Sequence, residues 1–453
     1  MSGTLLTGGL VLRSLDPPSV EPADLLLRGG RIVSLADSAG GSPEARLDCS
    51  GCLLVPGNVN AHTHAYAALS RGMPHRLRAP RSFLEILQLV WWRLDRALDP
   101  TAIRASALVA AREALLAGTT TLVDHHASPN AIDGALDIIA EAFEEAGLRS
   151  VLCYETSDRD GPHRAREGVR ENERFLRRLS DGRWPLARGM VGAHASFTLS
   201  QETLASLVDV ARASGAWLHI HAAEDAIDQA DAIARFGRRV VARLGDTGAL
   251  HGSLLAHAAH IDPSEAARLR AEGATVAHNP RSNMNNGVGR TPLPWLGGAL
   301  ALGTDGIGAD MFEEGRAALF RLREEDLDAG PDLPMTLLAG GAAVAARSFG
   351  EPGLGRLEVG SPADLVVLDY RSPTPEVDGT LAGHWAFGIG ASHVRDVLVG
   401  GELVVRDRQL TRLDQREVDL EARRAAAGLW DRLDEIGPHP FSPTRLLATA
   451  GER

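Results

Sequence analysis

Two histidines stand two apart in the stretch Pro56-Gly57-Asn58-Val59-Asn60-Ala61-His62-Thr63-His64. On an extended chain both imidazoles point to one face, where they can chelate a divalent cation. Alone, such a pair is a weak signal, because solvated and core histidines outnumber ligands. Other groups strengthen it. His221-Ala222-Ala223-Glu224 offers a third imidazole with a carboxylate, and Leu302-Gly303-Thr304-Asp305-Gly306 offers a second carboxylate. Neutral imidazole suits Zn²⁺ or Fe²⁺. Asp305 supplies an anionic ligand or a base, with His257 within reach of the same water, and Glu224 is better suited to moving a proton beside a metal than to binding it. Three histidines, a carboxylate and an open position make a hydrolytic site.

These residues share a place in the pattern. Apolar runs end at His62 and His64, at Asp124-His125-His126, at Glu155, His194, His221, His257 and His278, and at Asp305. Helical stretches lie between them. Thr101–Ala117 ends on Gly118, Ile132–Ala146 on Gly147, and Ser200–Ala213 starts at a Ser200 cap and ends near Gly215. Repeated βα units predict a parallel sheet, and about eight of them predict an α/β fold of the (β/α)8 TIM-barrel kind, whose strand ends converge at one mouth. Short β-prone runs at both ends, with a hairpin signal at Gly400-Gly401, predict a small composite β-sandwich built from both termini. The expected division is 1–54 plus 356–415 for the sandwich, 55–355 for the barrel, and 416–453 for a C-terminal helix and tail.

The chain of 453 residues carries a net charge of −12, which argues against a nucleic-acid groove or a polybasic membrane patch. Three cysteines cannot build a disulfide framework, and no run approaches the about 18 apolar residues of a membrane span. No basic, then apolar, leader pattern opens the chain, so a cytoplasmic enzyme acting on a small molecule is expected. Every basic side chain is arginine, for there is no lysine.

The motifs resemble those of the amidohydrolase superfamily over nearly the whole chain. Leu54 to His64 is similar to its first-strand motif, His221 to Glu224 to its HxxE, and Leu302 to Asp305 to its GTD. His278-Asn279-Pro280-Arg281-Ser282-Asn283-Met284 resembles the HNPxSN stretch of the metal-dependent deaminase and chlorohydrolase (ATZ/TRZ-like) branch, and Gly360 to Val366 its C-terminal sandwich signature. Within that branch Trp91 to Asp95, Asp124 to Asn130 and Met284 to Asn286 look most like SsnA-type aminohydrolases.

The resemblance implies one divalent metal ion per chain, Zn²⁺ or Fe²⁺, on His62, His64, His221 and Asp305. It implies Glu224, His257 and Asp305 as catalytic groups, His194 near the substrate, and a homodimer. The implied reaction is deamination of a nitrogen heterocycle, such as a purine or pterin, by metal-activated water. Asp305 and Glu224 take the water's proton, Glu224 protonates the ring nitrogen, His257 stabilises the developing oxygen charge, and ammonia leaves. Other leaving groups (chloride, an alkylamine) and a cyclic amide or formimino substrate are the alternatives. A catalytically dead scaffold would have lost ligands, and here each expected group is present. Members that bridge two metals through a carboxylated lysine are excluded as a pattern by the missing lysine. A bridge through Glu155 is the remaining binuclear option.

Weaker signals surround this set. His125 or His126 reaches substrate from the second strand, and Arg71, Arg159 and Arg281 are placed to meet a carbonyl or carboxylate of it. Trp91 and Trp92 line the pocket or pack the long insertion after the first strand. His219 and His260 read as supporting groups, and Cys49 and Cys52 as small packing residues.

Overall fold

A computed structural model describes residues 3–36 and 45–443 of the chain. The last ten residues of the expected tail, 444–453, lie outside the described residues. Strands from both ends form one nine-stranded sheet, in which Leu53–Pro56 pairs parallel with Gly3–Leu15 and antiparallel with Leu365–Leu368. Val394–Val399 and Glu402–Arg406 extend it through the Gly400-Gly401 turn, where both glycines have positive φ. Its core gathers Leu6, Leu25, Ile32, Leu54, Leu365 and Leu398, with the buried free thiols of Cys49 and Cys52.

The apolar run before His62 is therefore two strands, not one. Leu53–Pro56 belongs to the terminal sheet, and Asn58–Thr63 opens the central one. Gly57 makes the break, since a Cβ there would lie 2.2 Å from Thr120 Oγ1.

The central strands are all parallel and form two arcs. Asn58–Thr63, Thr119–His126, Arg149–Tyr154 and Ala187–Gly189 make the first, and Val191–Ala195, Leu218–Ala222, Leu254–His257, Thr275–His278 and Leu300–Leu302 the second. Ala187–Gly189 and Val191–Ala195 are halves of one extended stretch interrupted at Met190, so the arcs comprise eight strand positions. At the other seam Thr304 N–H donates to the His62 carbonyl at 2.9 Å, and His64 N–H to the Asp305 carbonyl at 3.3 Å. One apolar cluster, including Val59, Val123, Val151, Leu254, Ala277 and Ala301, draws on both arcs.

The helices between strands form where local chemistry allows. Asp99 caps Pro100–Leu116 by accepting from Ala102 N–H, and Ser200 caps Gln201–Ser214 by accepting from Thr203 N–H. Gly147 and Gly215 end their helices at φ of 79° and 67°, a conformation glycine adopts without a Cβ penalty. Gln415–Glu435 is the long helix expected near the C-terminus. Among the described residues no helix is long and apolar enough to cross a membrane.

Two fully buried histidines at strand ends give the fold an acid limit. Burial pushes His126 and His278 down to about 3, and each is bonded instead to a hydroxyl, of Ser128 and of Thr291, at 3.0 Å. The unfolded chain protonates both near pH 6.5 while the folded chain does not. Stability is therefore expected to fall as pH drops from about 6.5 towards 3, by about 1.4 kcal/mol per pH unit per histidine. Urea midpoints at falling pH check this, and His126→Gln is expected to show the shallower slope.

Candidate active site

The polar cluster lies at the carboxyl ends of the central strands. His62 Nδ1 and His219 Nε2 share a hydrogen bond at 2.8 Å, and with the proton on His62 Nδ1 the Nε2 of His62 is free to bind a metal. His64 Nδ1–H donates to the His125 carbonyl at 2.5 Å, and His221 Nδ1–H to the His194 carbonyl at 2.8 Å. A carbonyl can only accept, so His64 and His221, when neutral, keep their lone pair on Nε2. These two nitrogens are 3.2 Å apart, and His64 Nε2 is 3.0 Å from Asp305 Oδ1. His62 Nε2, buried and without a hydrogen-bond partner, lies 3.6 Å from the same oxygen. Imidazole lone pairs and a carboxylate crowded together repel one another unless a positive charge sits among them, either a proton, as on His64, or a metal cation. A divalent metal ion fits that demand, and the nitrogen and oxygen donors suit Zn²⁺ or Fe²⁺.

The electrostatics agree. Burial drives His62 to about 4 and His221 well below its ordinary value, leaving both neutral. For His64 burial acts in the same direction, but Asp305 and then Glu155 outweigh it and lift the imidazole to about 9. Burial opposes the charge on Asp305, yet His62 and His64 hold its carboxyl well below the usual range. The cluster is a place that demands positive charge.

Beside it, burial and then the Asp305 charge push the Glu224 carboxyl well above the carboxylate range. Glu224 accepts from Asn286 Nδ2 at 3.4 Å and lies 3.6 Å from His257 Nε2. His257 is held by Asn283 Oδ1 on its Nδ1 at 2.7 Å, and burial keeps it neutral. Its Nε2 therefore accepts. A neutral imidazole held this way can take a proton, and once protonated can face a developing oxygen charge. Ser282 Oγ–H donates to Asp305 Oδ2, leaving Oδ1 towards the histidines. Ala223, His257 and Asp305 all sit at positive φ, between 49° and 71°, and such non-glycine strain of about 1–3 kcal/mol each collects at working sites.

Gly303 lets the Asp305 strand end approach this closely. A Cβ there would meet Asn279 Oδ1 at 2.4 Å and His62 Cβ and O at 2.9 Å. Gly303→Ala is expected to displace Asp305 and weaken metal retention by roughly 10–100-fold, the range for a disturbed supporting partner, read as metal content after dialysis against a chelator.

A solvent-open pocket lies above the cluster. Its floor includes His64, His221, Glu224 and Asp305, and Glu155 and His194 line one side. Tyr66, Phe83, Leu87, Trp91, Trp92 and Phe197 form an apolar wall. Of these only Trp91 and Trp92 carried a sequence signal; the others lie in the insertion or a loop without a motif. The chain's C-terminal segment backs the wall. Phe441 packs 5.7 Å from the Trp92 ring, His439 N–H donates to the Gln88 carbonyl, and Arg93 donates to the carbonyls of Leu433 and Ile436.

Several expected contacts lie elsewhere. Arg71 is paired with Glu113 at 2.7 Å on an exposed face, its side chain 69% accessible, and Arg281 is spent on Glu313 and Glu314. Each is held by a carboxylate outside the pocket lining. His125 is buried behind His219 and His221 and does not line the pocket, while His126 bonds Ser128. Glu155, His64, His125 and His221 do offer ligand atoms within 4.8 Å of one another. Arg159 is buried against Asp95 and Glu155, and His260 bonds the Val288 carbonyl at 2.7 Å.

Comparison with known proteins adds an independent observation. Residues 53–404 match the amidohydrolase family. The chain is 34% identical over 454 residues to a 5-methylthioadenosine/S-adenosylhomocysteine deaminase of Haloarcula marismortui, covering 95% of this chain and 99% of that protein. It is 29% identical over 451 residues to a 5'-deoxyadenosine deaminase of Methanosarcina mazei, covering 96% and 100%. Among solved structures, an adenosine deaminase from Xanthomonas campestris with bound zinc superposes with a TM-score of 0.84 at 25% identity, over 96% of this chain and 99% of that one. The zinc complex of atrazine chlorohydrolase TrzN from Arthrobacter aurescens has a TM-score of 0.78 at 22% identity, covering 93% and 100%, which bears on fold alone.

Proposed function

This chain belongs to the amidohydrolase family, and we propose that its pocket hydrolytically deaminates the adenine ring of an adenosine-type nucleoside. The observation that carries the reading is the meeting of His62, His64, His221 and Asp305 beneath an aromatic-walled pocket that Glu224 also lines. Those four residues would hold one Zn²⁺ or Fe²⁺ per chain, which supplies the Lewis acidity that makes water a nucleophile at neutral pH. Kinship to adenosine-type deaminases supports the choice of ring.

The chain's own groups divide the proton traffic. Asp305 and the neutral Nε2 of His257, 3.9 Å from Asp305 Oδ2, are the acceptors facing the water side. Glu224, whose carboxyl holds its proton unusually well, gives it to the ring nitrogen beside the carbon under attack. The water oxygen bonds to that carbon; of the two protons it sheds, one passes through these acceptors to the departing nitrogen and the other restores Glu224, and the carbon–nitrogen bond breaks to free ammonia. Trp91, Trp92, Phe83 and Phe197 sandwich the flat ring and keep bulk water out.

In the same reading the two arcs close into one (β/α)8 barrel, for which the seam bonds at His62 and Asp305 and the shared core speak, and the terminal sheet folds over its core as a sandwich, with Leu53–Pro56 on its side of the boundary. Cytoplasmic residence and a homodimer complete it, the latter checked by mass in solution.

Ammonia release from 5'-deoxyadenosine, on protein assayed for metal in the same sample, tests the reading. One metal per chain with stoichiometric ammonia supports it. A loaded site that frees no ammonia from any purine, pterin or pyrimidine amine would overturn deamination and direct the search to another leaving group.

A further inference from the structure

We propose that the pocket selects its substrate by charge, accepting neutral or cationic amines and rejecting those that carry a carboxylate; this rests on the adenosine-type reading and narrows it. Five acids line the cavity, Glu155, Glu224, Asp225, Asp228 and Asp305, and among the described residues no arginine does. The chain has no lysine to take that place. A ligand carboxylate needs a fork of donors or a point cation, and a pocket built for one shows it.

Among the described residues, the guanidinium groups nearest the pocket are committed elsewhere. Arg159, its side chain 2% exposed, is enclosed by Asp95, by Glu155 at 3.2 Å and by Asp160 at 3.4 Å, and lies 5.4 Å from the Trp92 ring centroid on the far side of the wall. Arg243 donates to the Ser196 carbonyl at 2.6 Å and the Leu199 carbonyl at 3.0 Å. Arg281 is bound by two glutamates. None can turn to the pocket without abandoning a buried or bidentate partner.

The acids are not equivalent. Asp305 and Glu224 serve the reacting centre. Asp228 accepts from Phe197 N–H at 2.9 Å and Ala223 N–H at 2.8 Å, and so holds both sides of the pocket in place. Asp225 caps the helix Ala226–Phe236 and is half-buried at the rim, and Glu155 faces in beside His194. Glu155 lies beside the reacting centre and is paired with Arg159, so the part of a substrate remote from the reacting carbon meets Asp225. Hydroxyls and ammonium groups donate to it, whereas a carboxylate meets like charge.

The test uses the metal-loaded full chain and two ligands that differ by one carboxylate: S-adenosylhomocysteine and its decarboxylated analogue, which keeps the thioether chain and the ammonium. The analogue is expected to show a kcat/KM for ammonia release at least roughly tenfold higher, a ratio that shrinks at high salt and in Asp225→Asn. Parity, or preference for the acid-bearing ligand, overturns the proposal. If neither releases ammonia, the adenosine reading fails on its own, and calorimetry with benzamidinium and the near-isosteric neutral benzamide decides the charge rule. Tighter binding of the cation, lost in Asp225→Asn, supports it. No preference between the two, including failure of both to bind, overturns it.

Discussion

Glu224→Gln is expected to lower kcat by about 10²–10⁴-fold, the usual worth of a positioned acid or base, with metal content unchanged. The side chain lines the pocket, is bonded by Asn286 at 3.4 Å and faces the His257 Nε2 at 3.6 Å. Glutamine keeps the size and the bond from Asn286 through its oxygen, but it has no proton to give. KM is expected to move much less than kcat, since the lost interaction belongs to the transition state. Pre-equilibrating the variant with metal, then measuring metal and turnover on one sample, separates this role from ligation. Wild-type turnover in loaded Glu224→Gln would remove Glu224 from the mechanism. Loss of metal together with activity would make it a ligand.

His221→Ala is expected to act on the other term, costing more than about 100-fold in metal affinity, with activity lost in proportion. His221 is anchored by the His194 carbonyl at 2.8 Å and presents its Nε2 3.2 Å from that of His64. Removing it deletes a donor outright and leaves the Asp305 charge with less to answer it. His219→Ala is the graded comparison. It only orients His62, at 2.8 Å, so its cost is expected in the range of about 10–100-fold. An equal effect of the two variants, or metal retained in His221→Ala, would contradict the ligand assignment. Chelation of the wild type, followed by restoration with Zn²⁺ or with Fe²⁺ under anaerobic conditions, distinguishes the preferred ion.

Some of this site was legible from residue order because strand periodicity carries it. His62 and His64 share a face by two-residue spacing, and each apolar run that ends in a polar residue delivers that residue to one end of a parallel sheet. The caps were legible for a similar reason, as Ser200 and Gly215 act on their own helix within a turn or two. The arginines were not. Arg71 and Arg281 follow strand ends as Arg159 does, but pairing is settled by which carboxylate lies across a fold contact: Glu113, Glu313 with Glu314, or Asp95 with Glu155.

The same limit hid the apolar wall. Phe83, Leu87 and Phe197 sit in short helical turns without a long period, and their convergence depends on how the insertion folds back over the strand ends. Phe441 reaches that wall from hundreds of residues away, guided by the bonds of Arg93 and Gln88 to the C-terminal segment. His257 shows the point at the scale of one proton. Its place at a strand end is written in the chain, but whether its Nε2 accepts or donates follows from Asn283, a neighbour on the short helix Pro280–Asn286.

The sequence by itself determined which residues are candidate metal ligands, the alternating βα plan and the absence of any lysine, because these depend on residue type and on local spacing. Only the tertiary structure decided which acids face the cavity, which guanidinium groups are already spent, and on which nitrogen each imidazole keeps its lone pair. Those are long-range electrostatic matters. They are set by burial and by partners far apart in the chain, and nothing in local order encodes them.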